Sequence, residues 1–108
     1  MTKKIIEFMG DSQTVLRSFP NDVRQEMGHA LWELPLGNVP AIAKTFGRGV
    51  FELRDQSAVG GTFRVAYVLI IKGTVHVLHA FQKKSQRTSR VDVAVIDARL
   101  KSLKRSLK

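Results

Sequence analysis

Three groups of basic side chains lie where strand patterning could gather them: Arg54 closing the run 50–54, Arg64 inside the run 62–68, and Lys83-Lys84 directly after the run 78–82. An arginine fork matches phosphate oxygens bidentately and stays protonated, so it binds and stabilises charge without exchanging protons. Lysine does exchange one. Lys83 and Lys84 placed beside Arg64 would repel it, and such repulsion favours the neutral amine, the form in which a lysine acts as a general base. The pattern predicts a phosphate-holding site, RNA as the polyanion and phosphodiester cleavage as the chemistry. Plainer readings fit the same residues. The arginines can be a surface pair, one bridged to Glu52 or Asp55, and Lys83-Lys84 a solvated basic turn.

Other chemistries are poorly provided for. The chain has no cysteine, which excludes a disulfide framework, a thiolate nucleophile and cysteine-bound zinc. His76 and His79 are three apart on a predicted strand, so simple alternation sends them to opposite faces and denies a two-histidine ligand pair. His29 falls on a helix surface. A pair of catalytic histidines requires His79 to meet a histidine from elsewhere. Trp32 and Phe46 read as core or loop-packing residues rather than base-stacking platforms. There is no glycine-rich phosphate loop and no Ser-His-Asp pattern. No metal or other cofactor is expected.

The net charge is +9 over 108 residues. Such a charge attracts polyanions, although solubility alone also accounts for a basic surface. A hydrophobic share of 44% suffices for a core, and the length predicts one domain spanning 1–108. The N-terminal apolar run is too short for a signal peptide, and no run approaches a membrane span. A cytoplasmic protein without membrane contact is expected.

The elements that must position the cations follow from periodicity. Lys4 to Met9 reads as a strand. Asp11 offers an N-cap for a helix through Val15, Leu16 and Phe19. Pro20 suits the first turn of a second helix, along which Val23, Met27, Ala30, Leu31 and Leu34 form one face. Pro35 and Gly37 end it. Residues 36–49 read mostly as a loop. Val50–Arg54, Thr62–Ile71 and Thr74–Phe81 read as three strands joined by turns at Gly60-Gly61 and Lys72-Gly73, hence antiparallel neighbours. On the second of these, Phe63, Val65, Tyr67 and Leu69 form a bulky face, and Arg64, Ala66 and Val68 a thinner one. Ser89 with Asp92 resembles a capping box. Val93, Ile96, Leu100, Leu103 and Leu107 then form the seam of a C-terminal helix. Lys101, Lys104, Arg105 and Lys108 complement its dipole, so part of this charge run is structural. The expectation is an α+β fold of order β-α-α-β-β-β-α, with the helices on one sheet face and the arginines on the helix-free face.

The segments 50–54, 62–67 and 77–85, above all His79-Ala80-Phe81-Gln82-Lys83-Lys84-Ser85, resemble the RelE/HigB/ParE superfamily of type II toxins, in particular its phage-derived, HigB-like branch. The stretches from Leu16 to Arg24 and from Gly47 to Val50 share the likeness. The resemblance implies a RelE-like fold with a curved antiparallel sheet. It also implies a metal-independent endoribonuclease that acts on mRNA in the ribosomal A site, against 16S rRNA, and is neutralised by a helix-turn-helix antitoxin. It makes Arg64 the holder of the scissile phosphate, Lys83 the basic residue after the last strand and Arg54 the basic position on the neighbouring strand; Lys84, next to Lys83, stays a candidate from the lysine pair alone. A C-terminal tyrosine found in RelE is absent, since Tyr67 is the only tyrosine. A ParE-like gyrase poison and a basic nucleic-acid-binding module are the alternatives.

Overall fold

The computed structural model describes residues 6–69 and 74–107. The chain runs β1 (Ile6–Phe8), α1 (Ser12–Arg17), α2 (Asn21–Glu33), a 3-10 turn (Leu34–Leu36), β2 (Ala43–Gly47), β3 (Val50–Gln56), β4 (Thr62–Leu69), β5 (Val75–Lys83) and α3 (Arg90–Ser106). The α+β class stands, with strands ordered β1-β5-β4-β3-β2 in one sheet. β1 pairs with β5 in parallel, and the other pairings are antiparallel. The expected Lys72-Gly73 turn and the outer ends of the first and third predicted strands lie outside the described residues.

α2 forms where its periodicity places it. Val23, Met27, Ala30 and Leu31 are buried along one stripe, and each large apolar side chain withdrawn from water contributes about 1.5–3 kcal/mol. They pack with Leu16 and Phe19 against Leu53, Phe63, Val65 and Tyr67, the bulky face read from the alternation of β3 and β4. Pro20, with φ −54° and ψ 149°, sits at the N-cap, just outside the helix. Leu34–Leu36 tightens into a 3-10 turn that ends on Gly37 at φ 90°, a left-handed conformation that glycine adopts without a Cβ penalty. Asp11 stands at the N-cap of α1 but makes no capping bond. Its carboxylate instead accepts from Arg99 Nη2 at 3.1 Å.

Two layers depart from expectation. α3 lies on the opposite sheet face from α1 and α2: Ile96, Leu100 and Leu103 pack on Val50, Ala66, Val68, Leu78 and Phe81. The helices therefore do not share one face, and the face bearing Arg64 is not helix-free. Ala66 and Val68, on the thin side of β4, are small enough to admit the seam of α3. Residues 43–47, expected as loop, form the edge strand β2. Its side chains are largely half-buried or exposed, so it carries little apolar alternation. Pairing with β3 across the turn Gly47-Arg48-Gly49, where all three residues have positive φ, supplies what periodicity does not.

A bulge in β5 changes which side chains share a face. Tyr67 is opposite Val77, whereas Ala66 is opposite His79, leaving Leu78 as the extra residue. His76 opposes Val68 and His79 opposes Ala66, so both histidines point to the α3 face. The alternation rule fails here because a bulge resets parity.

Candidate nucleic-acid interface

The register sets three rows across the α3-side face of β3, β4 and β5. Glu52 opposes Ala66, Arg54 opposes Arg64, and Gln56 opposes Thr62. These β4 residues oppose His79, Phe81 and Lys83 respectively. Directly opposed Cβ atoms are roughly 4.5–5.5 Å apart and diagonal neighbours roughly 7–8 Å. Arg54 and Arg64 therefore converge, as the sequence suggested, and Lys83 stands diagonally from Arg64. Lys84 is exposed just beyond the strand end.

Arg64 is no surface residue. Its side chain is 11% exposed and that of Arg54 is 42% exposed, while Glu52 is 1% exposed. Arg64 Nη1 donates to Glu52 Oε1 at 2.9 Å, and Arg54 Nε donates to the same oxygen at 2.9 Å. Like charges directly opposed on a sheet repel, so the shared carboxylate stabilises the arginine pair. Glu52 Oε2 and Arg64 Nε are buried without a hydrogen-bond partner among the described residues. With Arg64 Nε enclosed, the more exposed guanidinium of Arg54 is the one that a phosphate oxygen reaches first.

The next row up is built by a contact that sequence reasoning missed. His79 Nε2 lies 2.7 Å from Asp92 Oδ1, and its ring stacks on Phe81 at a centroid distance of 5.0 Å. Ser89 caps α3, its Oγ accepting from Asp92 N at 3.1 Å while donating to Asp92 Oδ2 at 2.7 Å. The capping pattern placed Asp92 in the first turn; no sequence signal connected its carboxylate to His79, because that link depends on the bulge. Lys83 Nζ donates to the Gln86 carbonyl, which folds the 84–89 segment back on the strand end. A cleft of about 250 Å³ opens there, with Lys83, Lys84, Ser85, Arg87, Ser89 and Asp92 among its lining.

The remaining sequence candidates fall elsewhere. His76 faces Glu7 at 3.7 Å and His29 pairs with Glu33 at 3.6 Å on the outer side of α2. Trp32 is 60% exposed rather than core, and Phe46 packs against the α3 cluster. Tyr67 is buried in the α2 layer, on the sheet face away from the cations, and burial pushes its pKa up. A second, apolar cavity of about 420 Å³ lies on the α2 side, lined by Leu34, Val39, Phe51 and Tyr67 among others. It is apart from the arginine rows. No group of three or more His, Asp or Glu side chains gathers as a metal site among the described residues.

A family model described as "Phage derived protein Gp49-like (DUF891)" matches residues 14–101. The chain belongs to this Gp49-like family. The match takes in α2, all of β2 to β5 and most of α3, so every row of the cationic face lies inside it. No curated protein matches the chain. Solved structures share the architecture, among them two E. coli ones. One is the intact E. coli RelBE toxin-antitoxin complex, with 18% identity, TM-score 0.57, and coverage of 75% of this chain and 98% of that one. The other is the isolated E. coli RelE toxin, with 18% identity, TM-score 0.55, and coverage of 87% and 96%. The Gp49-like chain thus has a RelE-like fold, as its strand motifs implied.

Proposed function

We propose that this chain is the toxin of a RelE-type toxin–antitoxin system: a single HigB-like domain that cleaves mRNA on the ribosome, in the cytoplasm, without a metal. The observation that carries the reading is the adjoining placement of Arg54, Arg64 and Lys83 on one face of a RelE-like sheet. Arg54 and Arg64 share a single carboxylate, Glu52, so the arginine pair retains a positive surplus for phosphate.

In this reading Arg64 and Arg54 bind the scissile phosphate and stabilise the charge that develops on its non-bridging oxygens. The 2′-oxygen attacks phosphorus, the bond to the 5′-oxygen breaks, and a 2′,3′-cyclic phosphate and a 5′-hydroxyl result. Lys83, with Lys84 beside it, exchanges the proton that arginine cannot, accepting one from the attacking 2′-hydroxyl and passing one to the departing 5′-oxygen. The ribosome would hold the codon in an in-line geometry, a contribution of about 7–11 kcal/mol in favourable cases. 16S rRNA at the A site is then part of the docking surface. The RelBE complex, a toxin bound to its antitoxin, supports an antitoxin partner for this chain. We assign that partner to the helix-turn-helix type.

Expression under a tight promoter, with pulse-labelling of protein and DNA synthesis, tests the function. Arrest of protein synthesis first is the expected outcome. Arrest of replication first supports a ParE-like gyrase poison instead. Unimpaired growth supports a non-toxic nucleic-acid binder.

A further inference from the structure

We infer that Glu52 is a positioning residue: its buried carboxylate presets the two arginines as one rigid phosphate clamp. The inference rests on the proposed phosphate site and adds to it a residue that never touches the substrate.

The geometry carries the argument. One oxygen of Glu52 receives Nη1 of Arg64 and Nε of Arg54, both at 2.9 Å. An arginine side chain otherwise samples many rotamers, and fixing it costs entropy when a ligand arrives. Here each arginine is already held by a bond to Glu52 before any RNA binds. The two guanidiniums are held through different nitrogens. Arg54 is engaged at Nε, which leaves both of its terminal nitrogens free of Glu52. Arg64 is engaged at Nη1 and its Nε is enclosed, which leaves Nη2. The clamp therefore presents donors from two differently anchored forks.

A carboxylate in a phosphate site reduces attraction for an anion, so its presence needs a reason other than affinity. At 1% exposure Glu52 is too deep to receive the 2′-proton or to contact the backbone of an RNA. Its charge does act on Arg54 and Arg64, which face each other directly across β3 and β4 and would splay apart without it. Binding attraction is given up and orientation is gained. That is the signature of a group serving the transition state more than the ground state.

Glu52→Gln keeps the shape and an acceptor oxygen but removes the charge. Glu52→Asp keeps the charge but withdraws the acceptor by one methylene, and serves if the glutamine variant is poorly folded. Each is compared with the parent in three measurements: affinity for a short single-stranded RNA carrying a 2′-deoxy block, cleavage rate on saturating programmed ribosomes, and the arginine Nε–H resonances by NMR. For Glu52→Gln we expect RNA affinity equal to the parent's or tighter, and a cleavage rate lowered at least tenfold. For Glu52→Asp we expect affinity within threefold of the parent's and a similar rate loss. In both variants the Arg54 Nε–H signal, from the group bonded to Glu52, should broaden toward free exchange. An Arg54 signal as sharp as in the parent overturns the inference, as does unchanged cleavage. Affinity that falls in step with cleavage also overturns it, since it marks a merely structural role. A parent that binds RNA but cuts nothing on the ribosome refutes the nuclease reading, while the resonances still decide whether Glu52 orders the arginines.

Discussion

His79 and Asp92 are bound at 2.7 Å, which fastens the start of α3 to the bulged middle of β5. The pair is largely enclosed, with side chains 11% and 23% exposed, and Asp92 also joins the Ser89 cap. Removing one partner leaves a polar group poorly satisfied. Asp92→Ala should therefore destabilise the fold by about 2 kcal/mol and Ser89→Ala by about 1 kcal/mol. Urea midpoints at constant m-value check both. Equal, negligible losses would show that α3 docks by its apolar seam alone.

Arg64 and Lys83 should separate when each is replaced. Arg64→Ala leaves the buried Glu52 carboxylate with the partly exposed Arg54 as its remaining cation, so arrest should vanish together with about 2–3 kcal/mol of stability. Arg64→Lys keeps a cation for Glu52 but loses the planar fork, and should lose arrest with a stability change of under about 1 kcal/mol. Lys83→Ala should also lose arrest, within about 0.5 kcal/mol of the parent's stability. Full arrest by well-expressed Arg64→Lys and Lys83→Ala chains would displace the phosphate site from this face.

How legible this site was in the sequence depends on which rule each residue obeyed. Strand alternation placed Arg54 and Arg64 on one face, because β3 and β4 pair without a bulge from Phe51 to Gln56. The same alternation misplaced His79, where β5 carries an extra residue. Helical periodicity found α2 and α3, but a seam does not say which sheet face it will cover. The small Ala66 and Val68 were the available hint for α3. β2 was unreadable because an edge strand with few buried side chains leaves no apolar period. The burial of Arg64 turned on Glu52, a counterion visible in the strand pattern only as one possible bridge.

Asp22 gives the fold an acid-sensitive joint. Its carboxylate accepts from Ala58 N at 2.7 Å and from Ser57 Oγ at 2.9 Å, tying α2 to the turn before β4. The Ala58 backbone bond lowers the Asp22 pKa most; desolvation opposes it, and the weaker bonds from Ser57 and Val23 add to the lowering. A carboxyl with a lowered folded pKa stabilises above its unfolded value, about 3.9, and loses that contribution as pH falls through the folded value. Asp22→Asn should therefore flatten the fall in urea midpoint below about pH 4 while leaving arrest intact at neutral pH. An unchanged acid limb would assign it to other carboxylates.

On the proposed function, an antitoxin should be acidic where it meets this chain, by charge complementarity. We expect it to act by bulk, covering helices rather than the arginine rows. Hydrogen exchange of the complex should then show new protection in α1 and α2. Protection confined to β4 and β5 would place it over the cations instead.

The central claim is tested most directly by the ends of the RNA that this chain produces. Purified protein, treated with excess chelator, is added to ribosomes halted on a defined mRNA, and the fragments are mapped and their termini analysed. The account predicts cuts within the A-site codon, a 5′-hydroxyl on the downstream fragment and a 2′,3′-cyclic or 3′-phosphate on the upstream one, with far slower cleavage of the same RNA free in solution. A 3′-hydroxyl on the upstream fragment, or mRNA left intact on the ribosome, would contradict it.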